Sequence, residues 1–526
     1  MLTDVNGRYE FQQLPAGRYS INAMKNVFVS WSYGQTQPGS VGKPLVLADN
    51  QTVDDINISL PRGSVITGRV TDEFGDPAPN VFVSLMRLQF QQGQQRLLPA
   101  SNSPGTNDIG EYRMFGLAPG QYYVTAQPQP QPFSLAGPGG GQTEGQEARN
   151  GYARTFYPGT ADVSAAQKIT VGVGQTLSDI NIVLLPTRLA TISGVAVDAQ
   201  GQPMNGGFVQ VMPRGGIFFG PGGSGGTVRP DGTFTIGSVA PGQYTLRANS
   251  PRNSLGPGAP SAPPDFSIAV VSVNGEDITD VRLTPVLPTT VSGHVSFDDS
   301  GAAQTLKPST IRVMAQSLNL DDIGIGAQGP PPTLQDDFSF ELKTAPGRIA
   351  LRAIVQPAPG TPPPAPGVPP SPGVPPPATG AANVWQLKAV RVNGTDVTDS
   401  GIEIDSRGAR GVEIELTNRR QQVSGSVSDA NGVKVKDYTV VIFAQDRARW
   451  TAPFNRYLAR AQAGDDGLFK VNFLPAGDYY AIALEGVDGS QWQDPEFLEG
   501  LTRQASSVSL AAGDNRTVDL KLFTVQ

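Results

Sequence analysis

Apolar and polar positions alternate with a period of two along most of the chain, in short runs broken by Gly, Pro, Asp and Asn. One run recurs: DVNGRYEFQQLPAGRYSINA (4–23), then DIGEYRMFGLAPGQYYVTA (108–126), PDGTFTIGSVAPGQYTLRA (230–248) and DDGLFKVNFLPAGDYYAIA (465–483). Anchored on Gly7, Gly110, Gly232 and Gly467, each copy places an aromatic two residues on (Tyr9, Tyr112, Phe234, Phe469). An apolar residue follows two further (Phe11, Met114, Ile236, Val471), then Leu14, Leu117, Val239 or Leu474. Such spacing puts these side chains on one face of a strand. A Pro–Gly turn ends at Gly17, Gly120, Gly242 or Gly477, and two residues later a tyrosine opens a second alternating run. Proline fixes φ in the turn and glycine takes backbone shapes that other residues resist. The phrase therefore predicts a β-hairpin, a two-stranded corner. A worn copy, QDDFSFELKTAPGRIALRA (335–353), has Phe338 and Phe340 one residue out of register, which predicts a compensating one-residue bulge.

A glycine-centred run precedes each full corner: VITGRVTD (65–72), TISGVAVD (191–198), TVSGHVSF (290–297) and QVSGSVSD (422–429). An apolar strand follows it, as in NVFVSLMRL (80–88) or DYTVVIFA (437–444). A further strand closes the unit: LSDINIVLL (177–185), ITDVRL (278–283), GVEIEL (411–416) or RTVDLKL (516–522). These patterns predict an all-β chain, a tandem array of antiparallel β-sandwiches with long Gly/Pro-rich loops. The modules are expected at 62–187, 188–287, 288–418 and 419–526. Helical periodicity has one faint candidate, FNRYLARAQ (454–462).

Residues 1–61 carry a corner and a closing run, VDDINISL (53–60), with neither a glycine-centred strand nor a second strand. They are expected to form a partial, N-terminally truncated module. The expectation is that the start codon is placed too late or that the chain is a fragment, with any export signal upstream of Met1. Two loops absorb extra sequence in each full module, and the Pro-rich loop within 356–382 is expected to be extended and partly polyproline II. Short junctions predict a semi-rigid string of modules.

Composition narrows the chemistry. The 526 residues include 62 glycines, 47 prolines, one histidine and no cysteine, with a net charge of −7. No basic stripe offers a nucleic-acid surface, and no apolar run reaches membrane-spanning length. Lack of cysteine removes disulfides, thiolate metal sites and cysteine nucleophiles. The lone His294 lies in SGHVSF, where sibling modules carry Arg69, Val195 and Ser426, so it reads as an outward strand position. No nucleophile–base constellation is legible. Enzyme activity is not expected, and neither is a cofactor or a metal. Asp pairs in LDDIG (320–324) and AGDDG (463–467) read as turn chemistry rather than a calcium cage. An intramolecular Lys–Asn isopeptide design shared by all modules is excluded, because residues 188–287 contain no lysine and 62–187 only Lys168.

The glycine-centred strand, the DxxGxYxFxxLPxGxY phrase and the closing strand together resemble the carboxypeptidase regulatory-like domain. That family is similar to prealbumin-like, Ig-like and carbohydrate-binding-like sandwiches. YARTFYPGTADVSAAQKITVGVGQTLSDINIVL (152–184), VSVNGEDITDVRL (271–283) and VRVNGTDVTDSGIEI (390–404) resemble the family's second half in tandem arrays of bacterial surface proteins. The resemblance implies a non-catalytic, exported protein, extracellular, at the cell surface or periplasmic. Its implied role is to space or to bind, with polysaccharide or another surface protein as partner. The alternative is an ancillary segment of a larger polypeptide, such as an outer-membrane receptor or a metallocarboxypeptidase. Carbohydrate binding needs aromatic platforms, and the candidates are Trp31, Tyr33, Trp385, Trp450, Trp492 and Phe497. The competing reading is that these rings cover loop bases or pack between modules.

Overall fold

The computed structural model describes residues 1–35, 38, 42–43, 45–91, 93–101, 104–128, 150–215, 225–249, 266–304, 306–319, 332, 334–355, 385–419, 421–464, 466–487 and 490–524. The Pro-rich loop and most of the other long loops expected from the sequence lie outside these residues.

The chain is an all-β tandem array. Its four main hydrophobic cores draw on residues 66–184, 190–283, 291–416 and 423–520, so each is assembled from one stretch of sequence. Among the described residues, no core cluster draws on 1–61.

The repeated phrase is not a hairpin: in the four complete units its first strand pairs with the glycine-centred strand, and its second pairs elsewhere. The strand leaving the Pro–Gly turn pairs antiparallel with a later strand in one register: Gly120 opposite Val171, Gly242 opposite Val273, Gly347 opposite Ile404 and Gly477 opposite Leu510. The partial unit keeps it, with Gly17 opposite Leu47 and Tyr19 opposite Leu45. The tyrosine two residues past the turn clamps it. Its hydroxyl donates to the carbonyl four residues back: Tyr19 to Pro15 at 2.6 Å, Tyr122 to Ala118 at 2.7 Å, Tyr244 to Ala240 at 2.9 Å and Tyr479 to Pro475 at 2.7 Å.

The glycine-centred strands Ser64–Thr71, Ala190–Ala196, Thr289–Phe297 and Gln422–Ser428 each set their glycine opposite the phrase's aromatic. The pairs are Gly68 with Tyr112, Gly194 with Phe234, Gly293 with Phe340 and Gly425 with Phe469. On its other side this strand runs parallel to the closing strand. Each complete unit thus carries this parallel pairing within a mostly antiparallel sandwich, and 419–526 adds a second, Gly477–Leu484 with Leu520–Phe523. The glycine is required by that close approach. A Cβ there would lie 1.9 to 2.0 Å from a closing-strand carbonyl oxygen, that of Ile180, Val281, Val412 or Val518.

A register shift of the kind expected in the worn copy occurs instead in 62–187, between Ser64 and Ile66, and in 188–287, between Ala190 and Ile192. Gln13, Gly116, Ser238 and Phe473, six residues past the anchor glycine, all have left-handed φ between 56° and 72°. The worn copy is one residue shorter at this point, and its strands pair from Thr289/Thr344 to His294/Ser339 without a register shift. Phe338 takes the anchor glycine's place at φ 63°, so Phe340 and Leu342 fall on the buried face.

The faint helical candidate is a strand, Leu458–Gln462, paired with Thr439–Ala444. The longest helix is Pro495–Leu501, capped by the Asp494 carboxylate, with Pro495 in its first turn. Its Leu498 and Leu501 close a second small core on the outer sheet face with Val441, Phe443 and Ile482. Apolar residues on both faces of Thr439–Ala444, all buried, made that covering necessary.

Candidate functional site

The six aromatic candidates fall into three places. Trp385, 4% exposed, packs edge-on against Phe297 with ring centroids 5.2 Å apart, inside the 291–416 core. Trp450, 3% exposed, donates its indole N–H to the Ala444 carbonyl at 2.6 Å and meets Phe443 edge-on. Neither ring has a face free for stacking; both serve as core. Trp492 and Phe497 are half-buried on the same small core as Trp450, and the Arg460 guanidinium covers one face of Trp492 at 5.6 Å. The structure therefore brings Trp450, Trp492 and Phe497 together. Trp31 and Tyr33 are half-buried in the partial unit, where the Trp31 indole N–H donates to the Gln35 carbonyl at 2.9 Å.

A polar cluster that sequence reasoning missed joins residues 288–418 to 419–526. The Arg456 guanidinium grips both Asp399 carboxylate oxygens at 2.9 and 3.1 Å and donates to the Lys388 carbonyl at 2.8 Å. The Tyr457 hydroxyl donates to the same carboxylate at 2.7 Å. Burial works against the Arg456 charge, yet Asp399 and Tyr457 more than offset it, so the pKa stands above the ordinary arginine value. Burial, then the bond to Asp399, raises the Tyr457 pKa and keeps it a donor. Beside it the Arg352 guanidinium lies 4.3 Å from the centroid of the Phe454 ring. Arg456 and Phe454 lie in the segment that sequence periodicity marked as faintly helical. No local signal distinguishes a residue that reaches into the neighbouring unit.

A second group lies along the closing strand of 288–418. Lys388 and Arg391 donate to opposite oxygens of Glu415 at 2.7 and 2.8 Å. Burial alone would raise the Glu415 pKa; the two cations outweigh it and hold it below the usual value. Lys388 and Arg419 each stand 3.8 Å from the buried Asp298 carboxylate.

The acidic turns are occupied by their own backbone. Asp4 accepts from the amides of Asn6 and Arg8, both at 2.8 Å, and Asp466 from that of Leu468 at 3.0 Å. These are Asx turns, ordinary turn chemistry. Asp465 and 320–324 lie outside the described residues. Among the described residues no group of three or more His, Asp and Glu gathers with metal-ligand geometry. His294 is exposed on its strand opposite Ser339, and among the described residues no helix is long and apolar enough to cross a membrane.

No family model and no curated protein matches the chain. Among solved structures it is similar to a streptococcal ancillary pilin, at 15% identity over 52% of this chain and 76% of that one, with a TM-score of 0.20. It is also similar to BcpA, the major pilin subunit of Bacillus cereus, at 9% identity over 88% and 99%, with a TM-score of 0.16. Two B repeat units of the collagen-binding protein of Staphylococcus aureus give 10% identity over 82% and 94%, with a TM-score of 0.16.

Proposed function

We infer that the chain is a non-catalytic spacer built from carboxypeptidase regulatory-like modules at 62–187, 188–287, 288–418 and 419–526, with a partial module at 1–61. Its place is a bacterial cell surface or periplasm. One observation carries this reading: the same corner, in the same register, recurs in units with separate cores. The residues that recur between units (the seated glycine in the four complete ones, the clamp tyrosine in all but 288–418) are spent on the fold. The residues that differ, such as Arg456 and Asp399, join one unit to the next.

Carbohydrate binding is the function that competes with spacing, and Trp31, Tyr33, Trp492 and Phe497 are its half-buried rings. Passing the full chain over a panel of insoluble polysaccharides separates the two. The spacer reading expects retention on none. Retention that falls at least tenfold in Trp492→Ala or Trp31→Ala would replace spacing with sugar binding. Protease shaving of intact source cells tests location, with loss of the chain expected and full protection overturning the surface placement.

A further inference from the structure

In the four complete units the glycine-centred strand lies between the first corner strand and the closing strand. Residues 8–14 and 53–60 have the sequences of those two flanks, and their backbone is already set as in the complete unit 62–187. The entry turn is closed by Asp4 N–H to Arg8 O at 2.9 Å and Gly7 N–H to Asp4 O at 3.0 Å. Asn107 N–H to Glu111 O at 2.9 Å and Gly110 N–H to Asn107 O at 3.0 Å close its counterpart. Gln13 holds φ 56° where Gly116 holds 72°, and Asp55 holds 61° where Asp179 holds 63°.

One hydrogen bond fixes the distance between the flanks. The Tyr9 hydroxyl donates to the Ile56 carbonyl at 2.6 Å, as Tyr112 does to Ile180 at 2.6 Å. In the complete unit that link straddles the seated glycine. A Cβ on Gly68 would fall 2.0 Å from the Ile180 oxygen and 3.0 Å from the Tyr112 hydroxyl. Yet residues 8–14 and 53–60 belong to no strand. Phe11 and Leu14 are 48% and 40% exposed, where Met114 and Leu117 are 3% and 4%. Two flanks stand at the spacing of a three-strand sheet, in no strand ladder and with their apolar face exposed.

We propose that residues 8–14 and 53–60 form an acceptor slot for a glycine-centred β-strand from outside residues 1–526. The strand runs antiparallel to 8–14 and parallel to 53–60, with its glycine under the Tyr9–Ile56 link. Four occupied seats in this chain define the partner's chemistry. Each places an aliphatic residue two positions before the glycine and another two after it: Ile66 and Val70, Ile192 and Ala196, Val291 and Val295, Val423 and Val427. Main-chain bonds supply affinity in such strand addition, and alternate side chains supply selectivity. A donor continuing into a second apolar strand also covers the free edge of Gly17–Tyr19.

The test uses the full chain and a labelled peptide with the sequence of residues 287–298, LPTTVSGHVSFD, against a twin carrying Gly293→Leu. Saturable binding is expected, at least tenfold weaker for the twin. Amide protection from exchange is expected in 8–14 and 53–60. Ile56→Pro in the chain lowers peptide binding at least tenfold while exchange in the four complete cores stays unchanged. Equal binding of the two peptides, no saturable binding, or protection confined to a complete unit overturns the slot. So does protection that rises with chain concentration in the absence of peptide, which would assign the slot to a second copy.

Discussion

At the scale of single residues, the seated glycine is where the sequence has least freedom. Its Cβ would strike a backbone oxygen, and backbone in a paired strand cannot swing aside as a long side chain can. Gly194→Ala, with its Cβ 1.9 Å from the Val281 oxygen, is expected to cost about 3 kcal/mol, the upper range for overpacking a core. Exchange of the Ala190–Ala196 amides is then expected to accelerate about a hundredfold. Gly237→Ala is the control: nothing lies within 4 Å of its Cβ, and the same amides should keep their rate or slow. A hundredfold acceleration in both variants, or in neither, refutes the seat. The clamp tyrosines are a milder case. Tyr479→Phe removes the bond to Pro475 at 2.7 Å, for which about 1 kcal/mol is expected, read as roughly fivefold faster exchange along Gly477–Leu484.

Elements owe their stability to pairings that cross the unit, and the closing strand shows how charge enters. Glu415 on Ala409–Thr417 is held below the usual glutamate pKa in the folded state, where Lys388 and Arg391 outweigh burial. A depressed carboxylate stabilises the fold above its unfolded pKa, and that contribution disappears as pH falls through the folded value. Protection in the 291–416 core, the exchange rate relative to that of the unfolded chain at the same pH, is therefore expected to be flat above about pH 5 and to fall below the unfolded glutamate value of about 4.3. Glu415→Gln should be less protected at pH 7 and lose the part of that acid slope due to this group. An unchanged slope would remove Glu415 as its source. Elements were also the scale at which the sequence read best. A period of two and a Pro–Gly turn are local, so the corners of the four complete units were legible, as were their glycine-centred and closing strands; in the first copy 8–14 and 53–60 form no strand. The parallel pairing was hidden, because nothing local distinguishes which edge a strand presents. The bulge was assigned to the wrong copy because a one-residue deletion in one phrase and an insertion in four look alike when only aromatics are aligned. Trp385 and Trp450 read as loop aromatics; what buried them was Phe297 in one case and an outer-face helix in the other, neither a neighbour in sequence.

Across the whole molecule, the contacts between units decide whether a row of sandwiches behaves as a string or as a jointed body. A semi-rigid string was the expectation from short, proline-bearing junctions. The structure shows joints with their own chemistry. Phe266 and Ala345 pack between 188–287 and 288–418 with Ile268 and Val286 beside them, and Arg456 reaches across the next junction to Asp399 and the Lys388 carbonyl. Farther apart in sequence, Gly93 lies against the Thr451 carbonyl so closely that a Cβ would be 2.0 Å from its oxygen, and Lys43 meets Asp437 at 3.3 Å. The exposed Lys43 pair contributes little, whereas the two-pronged Arg456 grip on a half-buried carboxylate is the kind of contact whose loss costs about 1.5 to 3 kcal/mol. Arg456→Ala should leave all four cores intact, because the side chain belongs to none of them. It should quicken amide exchange at 396–401 and 455–458 at least tenfold and lengthen the maximum dimension seen by solution scattering. Arg456→Lys keeps the charge but cannot make both bonds to Asp399 at once, so it should fall between the two. Wild-type scattering from Arg456→Ala with unchanged exchange would show that the junction is held elsewhere.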